Sequence, residues 1–283
     1  MTDEIASIAT VVKSFRGQMG VAAINLRTGD TIAVNADTRF PTASTIKTAV
    51  MIEAWQQSTD GRLSMETAIA LRDADKVGGA GVLRHLHDGL SLTIADLIHL
   101  MIVLSDNTAT NMLIEKLGTS RINERLDSYG LHQTRLFRPT FRDGRADVLP
   151  ELEREFGLGM TTPREMARLM SLIADGKAVN RKASDAMLAT LQKQQDRAMI
   201  PRNLPSNGIQ VGNKTGTDEE KHPGADGVTR HVRADAAILT GPNLRYVVAI
   251  YARHVEDTRW GIDNEALVTG ARVSRMIYDY FSR

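Results

Sequence analysis

Phe40-Pro41-Thr42-Ala43-Ser44-Thr45-Ile46-Lys47 is the stretch at which the chain changes character. Before it, residues 3–16 set Ile5, Ile8, Val11, Val12 and Phe15 at helical spacing, and residues 21–26 and 31–34 flank Arg27-Thr28-Gly29-Asp30 as a β-hairpin. After it, the pattern to about residue 195 is mainly helical. Thr93-Ile94-Ala95-Asp96 predicts a capping box opening an apolar helix to Leu104. Thr162-Pro163-Arg164-Glu165 predicts a second, with Pro in the first turn. Strand-like runs return at 236–239 and 246–252 around Gly241-Pro242-Asn243. An amphipathic helix over 263–281, through Leu267, Val273, Ile277 and Phe281, closes the chain. This order predicts an α/β (α+β) fold. An antiparallel sheet domain, built discontinuously from residues 1–42 and 196–283 and flanked by the terminal helices, would carry an inserted all-helical domain over 43–195. Clefts between such domains favour active sites, so the motifs at the junctions carry the functional reading.

Composition narrows the chemistry. With 283 residues, 42% hydrophobic and 24% charged, the chain has a globular profile. A formal net charge of +1 removes any global electrostatic case for nucleic acid or an acidic membrane surface. The absence of Cys excludes disulfides, thiolate catalysis, iron–sulfur clusters and Cys-ligated zinc. No apolar run approaches the roughly 18 residues of a membrane span. Met1-Thr2-Asp3-Glu4-Ile5 is acidic and lacks a basic-then-apolar leader, so the chain as written predicts no export signal. No G-x-S-x-G, G-x-x-x-x-G-K-[ST] or G-x-G-x-x-G occurs, which removes the usual support for lipase-type, P-loop and dinucleotide readings. His85-Leu86-His87 would point its rings apart on a helix, a poor metal site.

Three motifs remain. In Ser44-Thr45-Ile46-Lys47 a hydroxyl and an amine stand three residues apart, one face of a helix start. A neutral lysine there could take the serine's proton and make it a nucleophile, while backbone N–H groups face a developing anion. About one S-x-x-K is expected by chance in a chain this long, so alone it reads as a helix start with a solvated lysine. Ser105-Asp106-Asn107, expected only about 0.03–0.05 times by chance, offers a second hydroxyl and an amide. Lys214-Thr215-Gly216 predicts an edge strand carrying a cation and a hydroxyl for a substrate carboxylate, with a glycine that lets the substrate lie close.

Together, in this order, the motifs resemble those of the penicillin-recognising serine enzymes, and among them the class A β-lactamase type. The likeness extends over nearly the whole chain, through residues 20–26, Phe40–Ser44, Thr108-Ala109-Thr110-Asn111 and Thr161-Thr162-Pro163. It implies a β-lactamase/transpeptidase-like fold and an acyl-enzyme mechanism. By motif, it implies Ser44 as the acylated nucleophile, Lys47 as its general base and Ser105 as the relay to the leaving nitrogen. Asn107 would hold the substrate amide, and Lys214, Thr215, Gly216 and Thr217 would line the substrate-binding strand. Backbone N–H groups of Ser44 and Thr217 would form the oxyanion hole. Arg233, placed just before a strand at 234–239, is similar in placement to a family arginine that helps bind the carboxylate. No metal and no cofactor is implied, and the partner is a small β-lactam or related acyl compound. The chain is read as a monomer with no membrane span and no nucleic acid.

One family feature is missing. Counting on from Thr134-Arg135-Leu136, Arg138 matches the loop arginine, and Thr140 falls where the class A glutamate that activates the deacylating water should stand. The segment from 138 to 162 is longer than the usual loop and holds no E-x-x-L-N. Its acids Asp143, Asp147, Glu151, Glu153 and Glu155 are the candidate replacements. Losing that base predicts slow deacylation. β-Lactam hydrolysis is the leading reading. An amidase, esterase or D,D-peptidase-like activity on another acyl substrate is the alternative, and an acylated sensing domain that does not turn over is a third.

Overall fold

A computed structural model describes residues 3–283. Helix α1 (Asp3–Lys13) leads into strands β1 (Gln18–Asn25) and β2 (Thr31–Val34), whose turn forms as the sequence predicts. Gly29 takes φ +82°, and the Asn25 side chain accepts the N–H groups of Arg27 and Thr28. The helix stops at Lys13, short of residue 16, because the chain must pass Gly17 (φ +142°) against the carbonyls of Arg253 and His254 to enter β1.

The middle of the chain runs through β3 (Phe40–Pro41), a 3₁₀ turn at Ala43–Ile46, α2 (Lys47–Thr59), β4 (Ala68–Ala70) and β5 (Ser91–Thr93). It continues with α3 (Ile94–Val103), α4 (Asn107–Leu117), α5 (Thr119–Ser128), β6 (Arg135–Leu136) and α6 (Pro150–Phe156). Then come β7 (Gly159–Thr161), α7 (Pro163–Ala174) and α8 (Arg181–Leu191). The last part is β8 (Gln210–Glu219), β9 (His231–Gly241), β10 (Leu244–Val255) and α9 (Glu265–Phe281). The large sheet is antiparallel in the order β2-β1-β10-β9-β8, so strands near the two ends of the chain pair directly, with Val21 opposite Ile250. Residues expected to be purely helical also supply the small sheet β4-β5 and, with β3 from just ahead of them, the sheet β3-β7-β6.

Helices cover both faces of the large sheet, which explains why β9 and β10 read as continuous apolar runs rather than alternating ones. Val21, Ala23, Val248 and Ile250 pack with residues of α1 and α9. Ala22, Ala249 and Tyr251 join the larger core formed with α2, α3, α4 and α7. That core crosses between the sheet and these helices without a break. Helix α2 has almost no exposed face over its first eight residues, which makes it the buried axis of the helical part.

The capping signals are kept in part. Thr93 and Asp96 make the reciprocal box at α3. Thr162 caps α7 through Glu165 N at 3.2 Å, but the Glu165 carboxylate turns away to accept from Gln133 N and the Thr134 hydroxyl. It anchors the segment entering β6 instead of closing its own helix.

The long segment after β6 is organised by one buried cation. Arg138, 2% exposed, donates to Glu153 at 2.7 Å, to the Pro139 carbonyl at 3.0 Å and to Asp143. Phe137, Phe156 and Met160 form a small apolar cluster within the same stretch of chain. Arg138→Met leaves the buried Glu153 carboxylate without its counter-ion, a change that typically costs about 3–5 kcal/mol. Urea unfolding should show a loss of that size, and adding Glu153→Leu should recover most of it. Equal stability of the single variant and wild type would remove the pair from its structural role.

Candidate active site

The two motif serines sit on unusual backbone. Ala43, immediately before Ser44, has φ +43°, and Ser105 has φ +57°. Left-handed conformations cost non-glycine residues of order 1–3 kcal/mol and cluster at sites where geometry matters more than local comfort. The first turns the chain sharply from β3 into the 3₁₀ turn that presents Ser44. The second turns the end of α3 so that Ser105 projects towards Lys47.

Lys47 is fully buried, and its ammonium nitrogen lies 2.7 Å from the Ser105 carbonyl, 2.8 Å from Asn107 Oδ1 and 3.1 Å from Ser105 Oγ. Lys214 approaches the same hydroxyl at 3.0 Å and donates to the Thr215 carbonyl at 2.7 Å. Ser105 Oγ therefore bridges two buried lysines. Burial pushes the Lys47 pKa well below its ordinary value, the Lys214 charge pushes it further down, and Asp106 opposes both. Burial lowers Lys214 to about 8 against the pull of Asp235 and Asp196. Ser44 Oγ has no hydrogen-bond partner among the described residues, so the expected direct Ser44–Lys47 contact is not made. Lys47 instead reaches across to Ser105 and Asn107, whose acceptors outcompete a neutral hydroxyl for a buried amine.

Asp106 fixes this arrangement. It caps α4 through Ala109 N at 2.9 Å and accepts from Val82 N and Leu83 N at 2.6 and 2.9 Å. Asn107 Nδ2 donates to the Gly78 carbonyl at 3.1 Å. Gly81, at φ +112°, has its absent Cβ replaced by the Asp106 side chain itself. The glycine run at 78–81 is thus the seat for the Ser105-Asp106-Asn107 turn, and it borders the cleft through Gly79 and Ala80. His85 ends a single 3₁₀ turn, Leu83–His85, and His87 lies beyond it, so the two rings do not share the helix on which the sequence reading placed them.

Strand β8 forms the opposite wall and is an edge of the sheet, as the motif predicts. A side chain on Gly216 would stand 2.8 Å from the Thr42 carbonyl and 3.2 Å from Ser44 N, so only glycine allows β8 this close to the Ser44 backbone. Arg233 lies inside β9 opposite Thr217, not before the strand. Its guanidinium is 1% exposed and donates to the Val232 and Arg259 carbonyls and to His231 Nδ1, and it stacks 4.9 Å from the Trp260 ring centre. Its hydrogen bonds are spent on the scaffold, and Trp260, not Arg233, lines the cleft.

Two cavities meet at Ser44. The larger, about 600 Å³, is lined by Ser44, Ser105, Asn107, Thr215 and Thr217, with Phe141 and Trp260 as exposed aromatic walls. That size suits a small ligand. The smaller, about 110 Å³, lies towards the long loop and is lined by Ser44, Asn107, Thr140, Asp143, Asp218 and Lys221 among others. That volume has room for a few waters but not for a drug-sized molecule. Thr140 is locked there, its N–H and hydroxyl both donating to Asn111 Oδ1 at 2.7 and 2.9 Å.

Of the five loop acids, only Asp143 reaches the small cavity. Asp147 accepts from Thr119, Glu153 from Arg138, Glu155 from Arg253, and Glu151 pairs with Arg154 on the surface. Asp218 was not among the sequence candidates, although strand alternation signals it. Lys214, Gly216 and Asp218 share one face of β8.

The model of the beta-lactamase enzyme family matches residues 3–281. The Beta-lactamase L2 of Stenotrophomonas maltophilia is 34% identical over 110 residues, 39% of this chain, and the match spans 36% of that protein's length. A beta-lactamase structure from Sphaerobacter thermophilus superposes with TM-score 0.82 at 32% identity, covering 99% of this chain and 97% of that one. The structure of PBP-A does so with TM-score 0.82 at 27% identity, covering 100% and 97%. No helix among the described residues is long and apolar enough to cross a membrane.

The lysine pair has a measurable signature. Lys214 binds its proton less tightly folded (about 8) than unfolded (10.5), so the unfolded state carries more protons between those values and stability rises with pH across that window. Denaturation of wild type and Lys214→Met from pH 7 to 10.5 should show wild type gaining on the variant above about pH 8. A constant difference would mean Lys214 is not desolvated.

Proposed function

The chain belongs to the beta-lactamase enzyme family, and from that premise we propose that it opens the amide of β-lactams through an acyl-enzyme at Ser44. The observation that carries this reading is the Ser105 hydroxyl held between Lys47 and Lys214 beside the Ser44 cavity. A neutral Lys47 amine has two N–H groups and one lone pair. Its two carbonyl-type neighbours, Ser105 O and Asn107 Oδ1, take the N–H groups, which leaves Ser105 Oγ–H as donor to the lone pair. Protonated Lys214 then donates to Ser105 Oγ from the other side. Hydrogen bonds ordered in this way form a proton path.

In the first half-reaction Ser44 Oγ attacks the lactam carbonyl as the Lys47 amine turns its lone pair from the Ser105 hydroxyl to Ser44 and takes its proton. The oxyanion meets the N–H groups of Ser44 and Thr217, which Gly216 allows to converge. The C–N bond breaks as Ser105 passes its proton to the nitrogen and is reprotonated from Lys47. Thr215 and Thr217 line the cleft to receive the substrate carboxylate, with Lys214 behind them. Arg233 is assigned the support of Trp260, because its donors are already engaged. Asn107 positions Lys47 and fixes the glycine loop, in addition to facing the substrate amide. The discontinuous sheet unit (1–42 and 196–283) with its helical insertion (43–195) belongs to the same reading, apart from residues 1 and 2, which lie outside the described residues. So does action as a monomer, since one chain supplies every group named. A mutant of the structural neighbour PBP-A has been seen as an acyl-enzyme with penicillin G, which supports the same chemistry here.

Ser44→Ala should abolish nitrocefin turnover and remove the covalent penicillin adduct from the intact mass, at no more than about 1–2 kcal/mol of stability. Lys47→Met should slow acylation severely, because base and nucleophile act as a unit. Wild-type hydrolysis by a folded Ser44→Ala protein would overturn the nucleophile assignment. An acylation pH profile unchanged in Lys47→Met would remove Lys47 as the base.

A further inference from the structure

The acyl-enzyme must be released by water, and the position where sequence register expects a base holds Thr140. Its hydroxyl is neither charged nor basic at neutral pH, and it is already donated to Asn111. The small cavity beside Ser44 contains two carboxylates, Asp143 and Asp218. They are not equivalent. Asp143 accepts from Arg138 and, at 2.9 Å, from Lys221, and these contacts hold its pKa below the usual value although burial pushes the other way. Asp218 keeps only its neighbour's N–H at 2.9 Å on one oxygen, while its other oxygen stands 4.0 Å from Lys221.

We propose that Asp218 is the general base of deacylation, holding a water in the small cavity and taking its proton as that water attacks the Ser44 ester. The inference rests on the acyl-enzyme reading above. Gly216 directs it, because the face of β8 that lies against Ser44 N is the face that carries Asp218 two residues on. The water oxygen bonds to the acyl carbon and one water proton passes to Asp218. As the tetrahedral centre collapses, the C–Oγ bond breaks and that proton returns to Ser44 Oγ, which frees the carboxylic acid and restores both groups. Burial raises the Asp218 pKa, and nearby Asp143 adds to it, while Lys221 and Arg138 hold the shift in check. A carboxylate with raised basicity beside one with lowered basicity is the division of labour expected of an acid–base site. The charged and titratable groups facing Asp218 are Lys221 and Glu219 on or beside its own strand, Asp143 and Arg138 from the loop, and Arg233 from β9, which meets its carbonyl at 3.5 Å.

The test separates the two half-reactions by quench-flow and intact mass with penicillin G and nitrocefin. Asp218→Asn is isosteric, and its fold is checked by thermal melting. We expect it to acylate within about 3-fold of the wild-type rate and to deacylate about 10²–10⁴-fold more slowly, so that the adduct on Ser44 becomes the resting state. Wild-type deacylation should fall towards acid as Asp218 takes up a proton, and that limb should vanish in Asp218→Asn. Asp218→Glu should restore part of the deacylation rate. Wild-type deacylation by Asp218→Asn would overturn the proposal, as would Asp143→Asn producing the stalled adduct in its place. Absence of any adduct or turnover in wild type would overturn the acyl-enzyme reading itself, and the role of Asp218 with it.

Discussion

Two buried lysine side-chain nitrogens meeting on one serine hydroxyl, away from water, set the terms for the rest of this molecule. A lysine cation buried in this way carries a desolvation cost of several kcal/mol unless dipoles replace its water, and burial is the first cause of the lowered pKa of both. Here the replacements are countable: the Ser105 and Thr215 carbonyls, Asn107 Oδ1 and Ser105 Oγ. They come from α4, the turn ahead of it and β8, while the lysines come from α2 and β8. Sheet and helices must therefore meet at one fixed spacing for any of these contacts to form. The unbroken apolar core from Ala22 and Tyr251 through α2 supplies that spacing, and the left-handed backbone at Ala43 and Ser105 is the local strain it sustains.

Among the described residues, the charge around the pair is tuned without a direct ion pair. Asp106 acts on Lys47 from the cap of α4, and Asp235, on the partner strand β9 opposite Thr215, is pushed up to about 7 by its own burial. Asp235 is held by Asn213 and Ile200 N rather than by Lys214. A close carboxylate would have fixed the ammonium form of either lysine. Keeping the acids one layer back leaves Lys47 able to lose its proton, which is what a base requires.

The fold was legible in the sequence wherever a local signal and its tertiary outcome agree. The hairpin around Gly29, the Thr93 cap and the apolar runs of β9 and β10 are of this kind. Disagreements arose where a side chain left its local role for a distant one. Glu165 abandons the α7 cap for Gln133 and Thr134, Lys47 passes over Ser44 for Ser105 and Asn107, and Arg233 is drawn under Trp260. Helical spacing says that two residues share a face, but not which acceptor wins a buried amine. The motif residues were legible because their spacing is fixed by short elements. Asp218 was not, because its function depends on β8 lying against Ser44, a contact between residues more than 170 positions apart in the chain.

Placing a base on β8 rather than on the loop has a structural consequence. A base on the loop must be held by the loop, which then cannot lengthen or change freely. Residues 138–157 are long here, carry their own helix α6, and spend Arg138, Asp143 and Glu153 on holding themselves together. Strand β8, by contrast, is paired with β9 over its whole length from Gln210 to Glu219. A functional group on such an element is positioned more closely than one on a loop. With Thr140 pinned to Asn111 and the reactive carboxylate on the strand, the loop is left to shape the cavity wall. Lys221 completes this division, because its ammonium bonds the loop's Asp143 and stops 4.0 Å short of Asp218. It ties loop to strand while leaving the strand's carboxylate oxygen open to water.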